Sequence, residues 1–335
     1  MNHTIGRMST LLLRGTGAPF DRDRAALWLR IGLGLVFVIG GWSKLGQLFA
    51  ADGGIAMVSS YMGPGGYVNT FFTDYLFRGT LAGLISPWQF LAALSAFELA
   101  SGLALLAGFL VRPFALVYGF LLWTFVFSLP VVTTPGVVAA VDTYTSPALL
   151  VQARDVCLSG LMFVLFNLGP GRPAVDRPLP PELGSGDWNS LGLLARLSLA
   201  LPLLVGGFFV GFDSIQDFST YAPVLIVLGV LLVAGVGVRQ SAIVVAVVML
   251  WYALGKFSSD KSLIANLNGF KREFALTAVA LLLARFGGGS RFVWHLPRMG
   301  ARAASGGVPG GSTGGGVRRA GARQADDAEV TLTPQ

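Results

Sequence analysis

Gly102-Leu-Ala-Leu-Leu-Ala-Gly108-Phe-Leu-Val-Arg112 returns 127 residues later as Gly229-Val-Leu-Leu-Val-Ala-Gly235-Val-Gly-Val-Arg239, with both glycines and the closing arginine in register. Three more blocks recur in the same order. Arg30 with Gly40-Gly41 matches Arg196 with Gly206-Gly207, and Arg154-Asp155 with Gly169 and Gly171 matches Arg272-Glu273 with Gly287 and Gly289. Matched blocks in constant order predict a duplicated unit. The copies differ in their charges: Lys44 aligns with Val210 and Glu98 with Leu225. An ionisable group in a bilayer costs roughly 2.5 to 3.5 kcal/mol on insertion scales, so charges retained by the first copy mark it as the place to look for a site.

The chain is 53% hydrophobic and 12% charged, the balance of a polytopic membrane protein. A membrane-spanning helix needs ~20 apolar residues. Runs of about that length lie at 25–48, 88–111, 113–133, 150–169, 190–211, 221–238, 240–256 and 271–287. Backbone amides in lipid must be satisfied within their own segment, so these runs predict helices. The expected fold is an all-α polytopic membrane protein, with eight transmembrane helices arranged as two parallel four-helix repeats. The organisation that follows is a basic cytoplasmic segment 1–24, a first membrane domain 25–170 and a Pro/Gly-rich linker 171–189. A second, degenerate repeat at 190–297 and a disordered tail at 298–335 complete it.

The net charge of +7 reflects topology rather than nucleic-acid binding. With eight crossings and an inner amino terminus, the inner segments hold 17 of the 24 Lys+Arg, including Arg7, Arg14, Arg112, Arg172 and Arg239. This positive-inside bias places both termini in the cytoplasm. No cleavable signal is expected, because the first apolar run is itself a full span.

Between Lys44 and Pro87 lies an outer loop of about forty residues, rich in glycine and aromatics: Tyr61, Tyr67, Phe71, Phe72, Tyr75, Phe77 and Trp88. A loop of that length predicts short interfacial helices. Both an interfacial anchor and a lid over a lipid-side pocket suit these aromatics. A second outer loop, 129–149, carries Pro130, Pro135, Asp142 and Pro147.

Glu98 lies about ten helical residues from Trp88, roughly 15 Å along the axis and near the bilayer centre. Lys44, Arg154 and Asp155 fall in the same half of the unit. Pairing of Glu98 with Lys44 or Arg154 is expected, since it offsets desolvation. The second copy, lacking two charges, is expected to be the structural half, with Arg272 and Glu273 serving folding. Only His3 and His295 are present and both lie outside the spans, so no bis-histidine haem pair is expected, and Cys157 has no second cysteine to join in a cluster or disulfide. The glycine strings lack the strand of a dinucleotide fingerprint and read as close helix packing. No haem, flavin or metal is therefore predicted. A redox role leaves a lipid-soluble carrier, with Glu98 or Asp155 accepting protons and Lys44 or Arg154 binding an anion.

Arg30-Ile-Gly-Leu-Gly-Leu-Val-Phe-Val-Ile-Gly-Gly-Trp-Ser-Lys44-Leu resembles the first helix of the DoxX and DoxD family, and Phe97-Glu98-Leu-Ala-Ser-Gly102 with Gly108 and Arg112 resembles the second. Arg154-Asp155 fits the head of the fourth. The long aromatic loop is closer to DoxD, the small subunit of thiosulfate:quinone oxidoreductase. The resemblance implies a four-helix unit at the outer face of a prokaryotic plasma membrane. It implies electron transfer from a thiosulfate-like compound to quinone; together with the buried charges, this makes Glu98 and Asp155 the expected catalytic groups and Lys44 and Arg154 the expected substrate-binding groups. Membrane lipid, quinone and a small DoxA-like subunit are the implied partners. A non-enzymatic scaffold of a redox complex and a small-solute carrier are the alternatives.

Overall fold

The structure is a computed structural model that describes residues 20–63, 66, 68, 73–79, 82–129, 148–176, 187–208 and 222–294. The loop 130–147, the tail beyond 294 and Tyr67, Phe71, Phe72 and Val210 lie outside the described residues.

Helix α1 spans Arg22–Leu48 and is capped by Asp21, whose carboxylate accepts from Arg24 N at 3.1 Å. After it comes the short α2, Ile55–Met62, and a π-helical turn at Thr73–Phe77, the short elements expected in the long loop. Asp52 starts α2 by accepting from Ala56 N and Gly54 N, each at 3.1 Å. The Ala56 and Gly54 amides hold its carboxyl below the usual carboxylate range. This cap is complete above that range and is lost as pH falls through the lowered value. Helix α3, Pro87–Ala107, opens with a full capping box between Ser86 and Gln89 and a proline in its first turn. It ends at Gly108, whose φ of 74° suits glycine. Helices α4 (Val111–Ser128) and α5 (Ala148–Leu168) complete the first half.

The second half runs α6 (Trp188–Phe208), α7 (Ala222–Ala234), α8 (Val238–Gly255), the short α9 (Leu263–Gly269) and α10 (Lys271–Phe286). Six helices, α1, α3, α4, α5, α6 and α8, are long and apolar enough to cross a membrane. Among the described residues the eight expected spans thus meet six helices of that kind. Gly235 (φ 72°) follows the end of α7 after 13 residues, and α10 has 16 residues and opens on Lys271-Arg272-Glu273. The molecule is a multi-pass, all-helical membrane protein.

Helices pair in a pattern that survives exchange of the halves. Helix α1 packs on α3 and α5, and α4 on α5; likewise α6 packs on α7 and α10, and α8 on α10. The halves join through α1 on α10 and α5 on α6. Close approach is made by glycine: a Cβ on Gly41 would lie 2.5 Å from Leu99 N of α3, and one on Gly207 2.4 Å from Ile226 of α7. Without a hydrophobic drive between helices in lipid, such backbone contact supplies dispersion attraction.

Two buried arginines explain the matched blocks. Arg30 donates to Pro170 O at 2.8 Å and Pro173 O at 2.5 Å, and its guanidinium lies 2.0 Å from where a Cβ on Gly108 would stand. Arg196 donates to Arg291 O and to Phe292 O at 3.0 Å, and lies 1.9 Å from a Cβ position on Gly235. Each arginine thus clamps a helix–helix turn to the chain leaving the half's last helix. Val175 N bonds Ala107 O in one half, and Trp294 N bonds Ala234 O in the other. Gly108→Ala and Gly235→Ala are each expected to lower stability by more than about 1 kcal/mol, because both the guanidinium and the positive φ exclude a methyl group. Leu110, with φ 48°, occupies the place of Gly237, with φ 55°. Leu110→Gly is expected not to lower stability, since a left-handed leucine costs roughly 1–2 kcal/mol. Thermal unfolding of the purified protein in detergent checks all three.

Candidate functional site

About 14 residues separate Arg30 from Lys44 on α1, roughly 21 Å of helix, so the site lies at the end opposite the Arg30 clamp. Lys44 Nζ contacts both Glu98 oxygens, at 2.5 and 2.7 Å, joining α1 to α3. Gly40 leaves room beside this pair: a Cβ there would lie 3.4 Å from Glu98 Oε2 and 3.0 Å from Lys271 Nζ of α10. Thus a cation of the second half approaches the carboxylate of the first. Of the two partners expected for Glu98, Lys44 is the one found.

Arg154 goes elsewhere. Its guanidinium lies 2.6 Å from Glu273 Oε1, while Arg272 Nε donates to Asp155 Oδ1 at 3.2 Å. The two matched Arg–acid dipeptides, at the start of α5 and of α10, therefore exchange partners across the junction between the halves. The reason is steric and electrostatic: neighbours on one helix point away from each other, and a buried charge needs an opposite charge at contact distance. Glu273 Oε1 faces Arg154 as an ion pair without an aligned hydrogen bond, and Asp155 Oδ2 is buried with no hydrogen-bond partner among the described residues. Tyr252 of α8 sits between cations, its ring 5.8 Å from the Arg154 guanidinium and 4.6 Å from Lys256 Nζ.

The ion-paired groups of both halves, Lys44, Glu98, Arg154, Asp155, Arg272 and Glu273, line one cavity of about 530 Å³. Its walls carry three carboxylates, Glu98, Asp155 and Glu273, each facing a cation, and six cations, Lys44, Arg154, Lys256, Lys261, Lys271 and Arg272. The excess is positive. Arg272 and Glu273, expected to serve folding more than turnover, line this cavity as Arg154 and Asp155 do. Charge in the second half comes from Arg272 and Glu273 and from three lysines, Lys256 and Lys261 in the connection between α8 and α10 and Lys271 at the start of α10. Nothing in the linear order singles these out, because loop lysines are ordinarily solvated. The signal is compositional: the chain has four lysines, Lys44, Lys256, Lys261 and Lys271, and all four line the cavity.

From the long loop, Tyr61 and Val68 also reach the cavity wall. They sit in a small core with Leu48, Leu91, Leu129 and Val151. Phe49 packs edge-on against Trp88 at 5.5 Å, whereas Tyr75 is exposed. A second cavity of about 390 Å³, apolar and open, lies between α1, α8 and α10. Its lining includes Trp28, Leu35, Met249, Phe270 and Phe274, together with Glu273, which it shares with the cationic cavity. Cys157 is a buried member of the central core.

Residues 25–130 match the family described as DoxX. No curated protein and no solved structure matches the chain.

Removing one member of a buried pair strands the other. Glu273→Gln is expected to cost about 3 kcal/mol, and the double variant Arg154→Met/Glu273→Gln to recover most of it. A double-mutant cycle on thermal unfolding measures this.

Proposed function

From a chain whose residues 25–130 form a DoxX-family domain, we propose a membrane oxidoreductase subunit that takes electrons from a small, thiosulfate-like anion and passes them to quinone. The observation that carries this reading is the cationic cavity, in which every carboxylate faces a cation and positive charge is left over. An enclosed positive surplus attracts an anion more strongly than the same charges would in water. Lys44 and Arg154 contribute to that field while holding Glu98 and Glu273.

The chemistry balances. Two thiosulfates that join through a new S–S bond release two electrons, and a quinone that takes two electrons and two protons becomes a quinol. The two protons come from water, and Asp155, whose Oδ2 makes no hydrogen bond among the described residues, is the better placed group to take them up and pass them to the reduced quinone, with Glu98 the second. The apolar cavity between α1, α8 and α10 is the route for the quinone ring, with Glu273 at the wall common to both cavities. A small DoxA-like subunit completes the enzyme in this reading, at the outer face of a prokaryotic plasma membrane. One observation favours a second reading: charged groups of both halves line the cavity, as an anion carrier requires.

Proteoliposomes containing the protein and quinone are expected to reduce quinone when thiosulfate or another sulfur donor is added. Glu98→Gln and Asp155→Asn, at matched protein levels, are expected to lower turnover by about 10²-fold, the usual contribution of a proton-transfer group. Absence of turnover with every donor, with the partner subunit supplied, would sink the redox reading. Uptake of labelled thiosulfate under those conditions would select the carrier.

A further inference from the structure

All four lysines of the chain converge on one cavity, and only one of them is committed to a carboxylate. Lys44 holds Glu98. Among the described residues Lys256, Lys261 and Lys271 form no salt bridge: Lys256 lies over the Tyr252 ring, and Lys271 donates to Asn268 Oδ1 at 2.8 Å. A lysine is a compact, mobile charge with three donors, suited to an ion that arrives and leaves, whereas the arginines here are fixed on carboxylates.

The segment bearing these lysines is built rather than loose. Buried Asn266 ties it together: its side chain donates to Ser258 O at 2.8 Å and to Lys261 O at 3.1 Å, and accepts from Ser258 N at 2.9 Å. Ser262 caps α9 by accepting from Ala265 N. The connection is thereby held over the cavity with Lys256 at its start, Lys261 at its middle and Lys271 at its end. On the topology expected from the arginine-rich segments this end faces outward, where the positive-inside bias works against basic residues. Six of the seven Lys+Arg assigned to that side nevertheless line this cavity, Arg78 being the exception.

We infer that Lys256, Lys261 and Lys271, with Asn268, form the binding site for a soluble, doubly charged oxyanion, and that Lys44 and Arg154 serve as holders of the carboxylates beside it. This rests on the anion-binding part of the function proposed above and is independent of electron transfer. It moves the anion's contacts from the first half of the chain to the second. Three lysines match a dianion better than a monoanion, because each charge on the ion adds its own Coulomb attraction to every ammonium.

The test is calorimetric titration of the full-length protein in nanodiscs of zwitterionic lipid, with sodium thiosulfate, sulfate or nitrate at constant ionic strength. Thiosulfate and sulfate are expected to bind saturably, and nitrate about tenfold more weakly. Lys256→Gln, Lys261→Gln and Lys271→Gln are each expected to weaken thiosulfate about tenfold, the loss of one charge-assisted hydrogen bond. Lys→Arg at the same positions restores part of the affinity, and Arg78→Gln leaves it unchanged. Lys261 is exposed, so its variant is read out even if Lys271→Gln does not fold. The proposal is overturned if no dianion binds, if the triple Lys→Gln variant binds thiosulfate as the parent does, or if these lysines bind an anionic lipid headgroup and not thiosulfate. Binding without quinone reduction leaves the site standing and removes only the redox reading.

Discussion

Two arginines and two carboxylates buried between α5 and α10 cannot all be satisfied within either helix, and the rest of the architecture follows from that. Arg154 takes Glu273 and Arg272 takes Asp155. Because each pair draws one member from each half, neither half is electrostatically complete alone. The contacts of α1 on α10 and of α5 on α6 bring the partners to bonding distance. Such pairs add little net stability, since desolvation consumes most of their attraction. What they fix is which surfaces meet, and hence where the cavity lies.

The parts legible in the sequence were those governed by local rules. Glycine after an apolar run marks a helix end, and Gly108, Gly169, Gly235 and Gly287 all take positive φ values. The arginine of one matched block meets a glycine of the next in each half, Arg30 beside Gly108 and Arg196 beside Gly235. The pairing of Lys44 with Glu98 follows from two opposite charges that fall in the same half of the unit and need partners in an apolar setting. Arg154 was harder, because Glu273 lies 119 residues away and becomes its neighbour only when the halves dock. The contribution of Lys256, Lys261 and Lys271 was hidden for a similar reason: a loop lysine gains meaning only from the wall it joins. Hydropathy alone does not register the glycine that ends α7 or the charged first turn of α10, so these two apolar runs meet helices of 13 and 16 residues.

The cationic and apolar cavities meet at Glu273. A single side chain thereby belongs to a water-accessible, positively charged chamber and to a groove lined by Trp28, Phe270 and Phe274. Its carboxylate faces Arg154, whose guanidinium lies 5.8 Å from the Tyr252 ring, so the three side chains form one line of contacts leading inward from the groove.

The arginine clamps act on one end of the bundle, with the lysine-lined chamber toward the other. Helix α1 is held at both ends: at Arg30 by the clamp, and around Lys44 by the Glu98 pair and by buried Leu48, which packs with Leu91, Leu129 and Val151. A wall whose helix is fixed at both ends leaves change of shape to its side chains, and a lysine's flexible four-carbon stem gives it the largest reach.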